Sequence, residues 1–305
     1  MSDESVALVD GPWTHRTVSA GGTRFHVAEA GEGPLVLLLH GFPQFWWAWR
    51  HQIPALAAAG YRAVAVDLRG YGASDKTPRG YDLLTAASDA AGLVRALGEV
   101  DAVVVGHGIG GLAAWTMSAC FPGAVRRLAV LSMPHPLRMR EAMLEGRQGW
   151  AARHLLGHQV PMVPERRLVA DDAEPVARML RGWSGPGWPD AETERRCRDA
   201  FRIPMVAHCS LEYHRWLFRS RFRPDGYRYL RRMRRPCTVP TLYVHGALDP
   251  LVLPAAARGS ERYVAAPYRW RLVPGAGHFP HQERPEQVNA LLMEWLDNDG
   301  VDSDA

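Results

Sequence analysis

Dense apolar runs alternate with segments of helical periodicity along the first half of the chain. The apolar runs are rich in valine, leucine and alanine and occupy residues 36–40, 62–68, 101–107 and 126–134. Runs of this kind are typical of strands that are buried on both faces of a parallel sheet. Apolar residues at helical spacing occupy residues 46–60, 81–98 and 111–121. The alternation predicts a doubly wound, mostly parallel α/β sheet.

The pattern changes after Pro136. Residues 137–236 are rich in Arg, Trp, Met and Pro, and they predict several helices with no clear strand. Apolar runs return at 241–246 and 268–275, and a helical pattern follows at 285–296. We therefore predict an α/β core from residues 1–136 and 237–305, with residues 137–236 as a helical cap, or lid, inserted after the sixth strand. Such a lid would cover the carboxyl ends of the strands, where open α/β sheets bind ligands.

Composition limits the classes of protein that this chain can represent. Hydrophobic residues make up 47% and charged residues 22% of its 305 residues, as in ordinary globular proteins. The acidic start has no apolar segment of the kind found in signal peptides, and the apolar run at 35–39 is too short to span a bilayer. The four cysteines show no C-x-x-C spacing and no metal-ligand spacing with histidine. We expect reduced thiols, no metal site, no membrane association and a cytoplasmic location.

The positive charge comes almost entirely from arginine. The formal net charge is +4, and Lys76 is the only lysine. Arginine is densest between residues 215 and 235, where a cluster could hold phosphates or an acidic substrate. We interpret the run as a solvated helix face. Since no nucleic-acid-binding motif accompanies it, we expect no nucleic acid partner.

A glycine-rich turn lies between the apolar run 101–107 and the helical pattern that follows. Its glycines at 106, 110 and 111 permit a sharp strand-to-helix turn and close packing of the helix on the sheet. This is the setting of a G-x-nucleophile-x-G elbow, whose middle residue has a strained backbone and points into the site. That middle residue is Gly108.

Three further motifs follow strands in the order that an elbow-based active site requires. The sequence His40-Gly41-Phe42-Pro43 would direct the Phe42 amide towards the same point as the Ile109 amide, and two such N–H groups can form an oxyanion hole. Asp249 comes just after the run 241–246, and His278 lies in the loop after the last run. The order elbow, acid, histidine is that of α/β-hydrolases.

These motifs together resemble those of the α/β-hydrolase superfamily, with the epoxide hydrolase and haloalkane dehalogenase branch as the nearest. The stretches that carry the resemblance are HGFPQFWWAWR, DLRGYGASDK, VGHGIGGLAAW, HGALDP and GAGHFPHQERPEQVN. The resemblance covers roughly residues 13–296 and is weakest in the lid. It implies that Asp249 and His278 are the acid and base, that Phe42 and Ile109 supply the oxyanion amides, and that no cofactor is required. The partner it implies is a small, largely apolar organic molecule.

The chain departs from this family at the elbow. Members of the branch carry an aspartate there and esterases a serine, whereas this chain has Gly108. Glycine has no side chain, so it cannot form a covalent ester intermediate. His107 precedes the elbow position and should point away from the oxyanion hole. Glycine also adopts elbow geometry at little steric cost, which by itself would explain its presence.

The lid departs as well. Epoxide hydrolases use two lid tyrosines as proton donors to the oxirane. The corresponding stretches here are HLLGHQVP, which places His154 near the first position, and SLEYHRW, which places His214 at the second with Tyr213 beside it. Histidine can donate a proton near neutral pH. Trp46, with its neighbours Trp47 and Trp49, is expected to pack the floor beneath the lid.

Two functions remain open on this sequence. In the first, His278 oriented by Asp249 acts as a general base on water or on a substrate proton, and the oxyanion amides stabilise the resulting charge. In the second, the chain is an inactive pseudo-hydrolase that binds a small apolar ligand under the lid. The sequence identifies neither the substrate nor the oligomeric state.

Overall fold

The computed structural model describes residues 3–297 and shows a central sheet. In the described chain the strands are β1 Thr14–Ala20, β2 Thr23–Ala30, β3 Leu35–Leu39, β4 Arg62–Val66, β5 Ala102–His107, β6 Val125–Leu131, β7 Thr241–Gly246 and β8 Tyr268–Val273. They lie in the order β1-β2-β4-β3-β5-β6-β7-β8. In the described sheet, β2 is antiparallel to both of its neighbours, β1 and β4. All the other neighbouring pairs are parallel. The prediction of a mostly parallel α/β sheet is confirmed.

The centre of the sheet is buried on both faces, as the dense apolar runs predict. Every residue of β3 and β5 is buried, and Leu37 lies opposite Val64 on one side and Val104 on the other. Burial of each such side chain contributes about 1.5–3 kcal/mol. The pair β1 and β2 at the edge was not identified from the sequence. Most residues of β1 are exposed or only partly buried, so this strand lacks the continuous apolar run that marks the central ones.

Three helices of the core precede the helical insertion. They are α1 Gln52–Ala58, α2 Leu83–Ala96 and α3 Gly108–Cys120. A 3₁₀ turn at Trp46–Trp49 leads into α1, so the helical pattern at 46–60 divides into two elements. The Asp82 side chain accepts a hydrogen bond from the Thr85 N–H at the start of α2, which supplies one of the acceptors that a helix N-terminus lacks. Helix α3 starts directly at the end of β5, as the elbow motif predicts.

Between β6 and β7 the regular secondary structure is helical, and this fully described segment contains no strand. The helices are α4 Pro136–Leu144, α5 Arg147–Ala151, α6 His154–Gly157, α7 Val163–Trp183, α8 Ala191–Phe201, α9 Val206–Arg219 and α10 Pro224–Met233. Helix α7 is interrupted at 170–173, where three consecutive residues have positive φ. On the arginine-rich α10, the residues Gly226, Tyr229 and Met233 face the core. We call residues 137–236 the helical insertion.

The chain returns to the core after the insertion with three short or medium helices. They are α11 Pro254–Ala257, α12 Pro280–Glu283 and α13 Pro285–Asp297. The insertion is tied to this part of the chain by backbone contacts: the His278 N–H donates to the Trp183 carbonyl at 2.7 Å. Within residues 3–297, no helix combines the length and apolarity that a membrane span requires.

Candidate active site

The candidate residues of the core all follow carboxyl ends of parallel strands. Phe42 lies after β3, Gly108 after β5, Asp249 after β7 and His278 after β8. These ends meet along one edge of the sheet, and open α/β sheets bind their ligands there. The structure therefore brings to one edge the four positions that the sequence motifs single out.

Asp249 and His278 form a buried hydrogen-bonded pair. His278 Nδ1 lies 2.8 Å from Asp249 Oδ2, and each residue is 2% exposed. Because a carboxylate only accepts hydrogen bonds, the proton lies on Nδ1 and the lone pair of a neutral His278 lies on Nε2. Asp249 Oδ1 also accepts the N–H groups of Leu251 and Val252, both at 2.9 Å. The aspartate thus serves both as a turn-forming residue and as the partner of His278.

The loop that carries His278 is clamped by a buried glutamate. Glu283 Oε2 accepts the N–H of Gly277 at 2.7 Å and of Gly185, in the insertion, at 2.6 Å. Its Oε1 accepts the Phe279 N–H at 2.9 Å. Three backbone donors from two parts of the chain therefore converge on one carboxylate, which positions the histidine loop against the end of α7.

Gly108 occupies the turn from β5 into α3 with φ of 54°. A Cβ atom at this position would lie 3.4 Å from the Gly41 Cα and 3.8 Å from His278 Nε2. A side chain at 108 would thus begin within reach of the histidine lone pair. The flanking glycines are of a different kind: a Cβ on Gly110 would lie 2.2 Å from the Leu39 carbonyl oxygen, and one on Gly106 would lie 2.4 Å from the Gly110 carbonyl oxygen. The flanking glycines are required for backbone packing.

The loop after β3 lies beside the start of α3. The Gly110 N–H donates to the His40 carbonyl at 3.1 Å, while His40 Nδ1 donates to the Gly41 carbonyl and Nε2 accepts the Leu68 N–H. Burial lowers the pKa of His40, consistent with a neutral ring that both donates and accepts. Ile109 is in the first turn of α3, where amides lack an intrahelical acceptor. In the described chain, neither the Ile109 nor the Phe42 amide donates to another residue.

His107 lies beneath the site. Its Nε2 donates to the His278 carbonyl oxygen at 2.7 Å. Burial, followed by the nearby His281 and His278, lowers the pKa of His107 well below its usual range, so the ring is neutral. Through this bond His107 holds the backbone of the loop that carries His278.

The insertion contributes three histidines near the site. His158 Nδ1 and His214 Nδ1 are 3.0 Å apart, and the His154 ring contacts the His158 ring at 5.5 Å between centroids. Burial lowers the pKa of His154 and of His158 to about 4, and that of His214 well below its usual value. All three rings are therefore neutral at pH 7. No cluster of three or more potential metal ligands with suitable geometry occurs within residues 3–297.

Comparison with known proteins places this arrangement in a family. The model of the alpha/beta hydrolase family matches residues 36–291. The chain belongs to this family. Epoxide hydrolase A of Mycobacterium tuberculosis is 32% identical, over 93% of this chain and 97% of that protein. The AB hydrolase superfamily protein YfhM of Bacillus subtilis is also 32% identical, over 92% and 97% of the two chains.

Solved structures agree with this membership. The crystal structure of epoxide hydrolase A from Mycobacterium thermoresistibile superposes with a TM-score of 0.82 at 30% identity, over 94% of this chain and 98% of that one. An epoxide hydrolase from an endophytic Streptomyces superposes with a TM-score of 0.80 at 30% identity, over 94% and 96%. The α/β-hydrolase fold with epoxide hydrolase homologues, expected from the motifs, is confirmed over nearly the whole chain.

Tyr213 of this α/β-hydrolase is engaged with the core. Its hydroxyl donates to the Arg69 carbonyl oxygen at 3.2 Å, and its ring packs on Tyr81 and Tyr71. Its neighbour His214 instead contacts the Phe42 ring at 4.6 Å. Of the two adjacent candidates, His214 is therefore the one that lies beside the loop after β3.

Trp46 does not lie where the sequence interpretation places it. Its indole N–H donates to the Ala7 carbonyl, and its ring packs on Trp13, His15 and His26. These contacts join it to the N-terminal segment and to β1 and β2, so its ring does not take the expected place on the floor beneath the lid. A tryptophan side chain buries a large apolar area wherever it packs. The motif HGFPQFWWAW does not indicate in which direction the Trp46 ring points.

Three residues near the site were not identified as candidates from the sequence. They are His158, Trp183 and Glu283. His158 lies in the stretch HLLGHQVP, four residues after His154, and an i, i+4 spacing of two histidines was a usable signal. Trp183 contacts both His154 and His278, at 5.4 and 6.1 Å between ring centroids. Nothing in the sequence around Trp183 or Glu283 identifies their long-range partners.

Proposed function

We propose that this α/β-hydrolase acts on a small, largely apolar organic substrate without a covalent intermediate, using His278 as its general base. The hydrogen bond between His278 Nδ1 and Asp249 Oδ2, at 2.8 Å, is the observation that carries the proposal. It leaves the Nε2 lone pair available, and Nε2 has no hydrogen-bond partner among the described residues. A histidine oriented by a buried carboxylate is a common general base.

Gly108, at the elbow, determines which reactions are open to His278. By the motif resemblance, position 108 is where relatives carry their nucleophile, and a glycine there cannot form an ester. His278 Nε2, 3.8 Å from the Cβ position of residue 108, would instead remove a proton from water or from the substrate. With water, the hydroxide attacks a substrate carbon and a C–O bond breaks. The amides of Phe42 and Ile109 would stabilise negative charge on a carbonyl or alkoxide oxygen.

The helical insertion would act as the lid in this proposal. It carries His154, His214 and Trp183, whose rings connect to Phe42 and His278. Aromatic side chains at these positions give the substrate an apolar surround, in line with the largely apolar surroundings typical of small-molecule sites. Epoxides are the first substrates to test, because several relatives are named epoxide hydrolases.

The test compares the wild type with His278→Ala on a panel of aryl and alkyl epoxides and haloalkanes. Loss of a general base should lower turnover by about 10²–10⁴-fold. His208→Ala is the matched control, since this histidine lies on the insertion and its side chain is 43% exposed. Unchanged turnover in His278→Ala would exclude the proposed base.

A second experiment tests whether the oxygen added to the product comes directly from water or through a covalent intermediate. In a single turnover in H₂¹⁸O, direct attack by water places ¹⁸O in the first product. Gly108→Asp adds a carboxylate next to His278, at a cost of about 1–3 kcal/mol for a non-glycine residue with positive φ. A covalent route in that variant transfers a carboxylate ¹⁶O to the first product. Turnover of Gly108→Asp with ¹⁶O transfer would show that the site still fits covalent chemistry, whereas ¹⁶O in the first wild-type product would contradict the non-covalent route.

The alternative is a pseudo-hydrolase that binds a small apolar ligand under the lid. The observation that favours it is Gly108, which removes the family nucleophile. It predicts that a ligand raises the unfolding temperature without being converted. It also predicts that His278→Ala leaves this stabilisation unchanged.

A further inference from the structure

Three polar side chains form a continuous chain of hydrogen bonds on the β1 and β2 side of the sheet. His26 Nδ1 lies 2.8 Å from Asp67 Oδ2, and His26 Nε2 lies 2.9 Å from His15 Nδ1. His15 Nε2 lies 2.9 Å from the Val9 carbonyl oxygen. Asp67 and His26 are buried, and His15 is half-buried. The chain of bonds therefore runs from the end of β4, through β2 and β1, to the N-terminal segment.

Both ends of this chain accept hydrogen bonds, and this fixes the number of protons within it. A carbonyl oxygen cannot donate, so His15 Nε2 carries a proton. Burial would raise the pKa of Asp67, but its interactions with His26 lower it below its usual value. The carboxylate therefore only accepts, and His26 Nδ1 also carries a proton. The two inner nitrogens are 2.9 Å apart, which requires one more proton between them. The two rings thus hold three protons, one more than two neutral imidazoles, and together they carry one positive charge.

Asp67 and its neighbour Leu68 hold both ends of the loop after β3. Asp67 Oδ1 accepts the Trp46 N–H at 3.0 Å, and the Leu68 N–H donates to His40 Nε2 at 3.1 Å. The stretch between these two bonds carries Phe42, whose amide is a candidate oxyanion donor. The Asp67 carboxylate is thus an anchor of the loop that places this amide.

The charged groups on the surrounding elements leave the His15–His26 pair as the counter-charge of Asp67. The ion pairs nearby are Arg24 with Asp75 at 3.0 Å, Lys76 with Glu4 at 2.5 Å and Arg16 with Glu29 at 2.6 Å. Burial lowers the pKa of His40, which is therefore neutral. Asp10, beside Val9, is exposed to solvent.

We propose that His15 and His26 are positioning residues that share a third proton, and that this proton holds Asp67 and the loop carrying Phe42 in place. The proton count follows from the hydrogen bonds alone, whereas the effect on turnover rests on the proposed function. When the third proton leaves to solvent, the inner nitrogens present lone pairs to each other and one hydrogen bond is lost. A buried carboxylate then faces a neutral pair, which is unfavourable, so the loop loses its anchor.

The first experiment counts the protons by ¹⁵N NMR of the full chain labelled at histidine, at pH 7.5, where most ordinary imidazoles are neutral. We expect His15 Nε2 and His26 Nδ1 both to be protonated, with a third proton between the inner nitrogens. The resonances are those that disappear in His15→Gln and in His26→Gln. If His26→Gln does not fold, the His26 ring is assigned by its nuclear Overhauser effect to the Trp46 ring, at 6.0 Å between centroids. Two protons on the pair instead of three would overturn the proposal.

A matched pair of substitutions separates the charge of the pair from its packing. In His15→Gln, the amide oxygen still accepts the His26 Nε2 proton, so His26 keeps both of its protons; in His15→Phe, nothing accepts it. The backbone amide resonance of Trp46 reports the anchor. It should shift in His15→Phe but stay unchanged in His15→Gln and in the control His208→Phe, whose side chain is 43% exposed on the insertion. Equal shifts in the glutamine and phenylalanine variants would contradict the role of the shared proton.

The same resonance gives a pH profile. In the wild type, raising the pH should move the Trp46 amide and the ring nitrogens of His15 and His26 together, because one proton controls all of them. In His15→Phe the Trp46 amide should no longer follow the pH. A wild-type Trp46 amide that does not move with the rings would show that the proton does not control the loop.

Turnover shows whether the anchor affects the site. In His15→Phe, kcat for an epoxide substrate should fall by about 2- to 30-fold with little change in KM, because the Phe42 amide would act on charge that develops in the transition state. His15→Gln and His208→Phe should retain kcat. Unchanged kcat in His15→Phe would overturn the positioning role. The proposed function fails separately: if His278→Ala keeps full turnover, the base is wrong, while NMR still decides the proton count and the anchor.

Discussion

The sheet edge and the helical insertion hold the side chains of the candidate site in different ways. At the sheet edge, Asp249 is fixed by two backbone N–H groups, and Gly110 lies against the Leu39 carbonyl. In the insertion, His158 and His214 are fixed by each other and by ring contacts with Phe42. Backbone motifs are local in sequence, whereas side-chain pairs join distant segments. The residues at the sheet edge can therefore be predicted from local motifs, whereas the placement of the histidines in the insertion depends on how its helices pack.

The largest effect is expected from Asp249→Asn, which tests the sheet half alone. Asparagine Oδ1 still accepts the N–H groups of Leu251 and Val252, so the turn persists, but the amide cannot accept the His278 Nδ1 proton. The histidine then adopts the wrong tautomer, and turnover should fall by about 10²–10⁴-fold. Steady-state kinetics on an epoxide substrate measure this. Asp190→Asn, at the start of α8, is the control and should retain turnover; equal turnover in both variants would contradict the role of Asp249.

The glycines of the elbow give the next largest effect. Gly110→Ala places Cβ 2.2 Å from the Leu39 carbonyl oxygen, and neither backbone can move without disturbing the sheet, so the free energy of unfolding should fall by about 3 kcal/mol. Gly108→Ala meets its nearest atom at 3.4 Å and should cost only about 1 kcal/mol, from its positive φ. Urea unfolding measures both. Gly182→Ala, on α7 with no atom within 4 Å, is the control from the insertion. Equal losses for residues 108 and 110 would contradict this distinction.

The same contrast explains what the sequence could predict. The central strands, the elbow, Asp249 and His278 all follow from short motifs with strict local geometry, and the structure brings them to one edge. The packing of Trp46 against the N-terminal segment was not predicted, because the three consecutive aromatic residues at 45–47 allow several packings. The N-terminal strands were missed because β1 lacks a buried apolar run. In the insertion, the sequence indicated helices but not the pairing of His158 with His214, since their separation of 56 residues is bridged only by tertiary packing.

Glu283 connects the two halves, so its removal tests whether they act together. In Glu283→Gln, a single carbonyl oxygen remains where the carboxylate accepts N–H groups of Gly185, Gly277 and Phe279. At least one buried donor loses its acceptor, and the free energy of unfolding should fall by about 2 kcal/mol. We expect reduced turnover as well, because the His278 loop is no longer clamped to the insertion. Glu286→Gln, in the exposed first turn of α13, should change neither quantity. A loss of stability with unchanged turnover would show that the clamp is structural only.

The histidines of the insertion should also make the free energy of unfolding depend on pH. This is the smallest of the expected effects. The pKa of His158 is lowered by burial from 6.5 to about 4, so between these values the unfolded chain binds the proton and the folded chain does not. Stability therefore rises with pH across this window and falls as the pH drops from 7 to 5. His158→Phe removes one such group and should reduce that fall by about 1–2 kcal/mol, measured by urea unfolding at the two pH values. Leu156→Ala, an exposed substitution on α6, should keep the wild-type difference. If His158→Phe leaves the pH difference unchanged, burial does not lower the pKa of this imidazole in the folded chain.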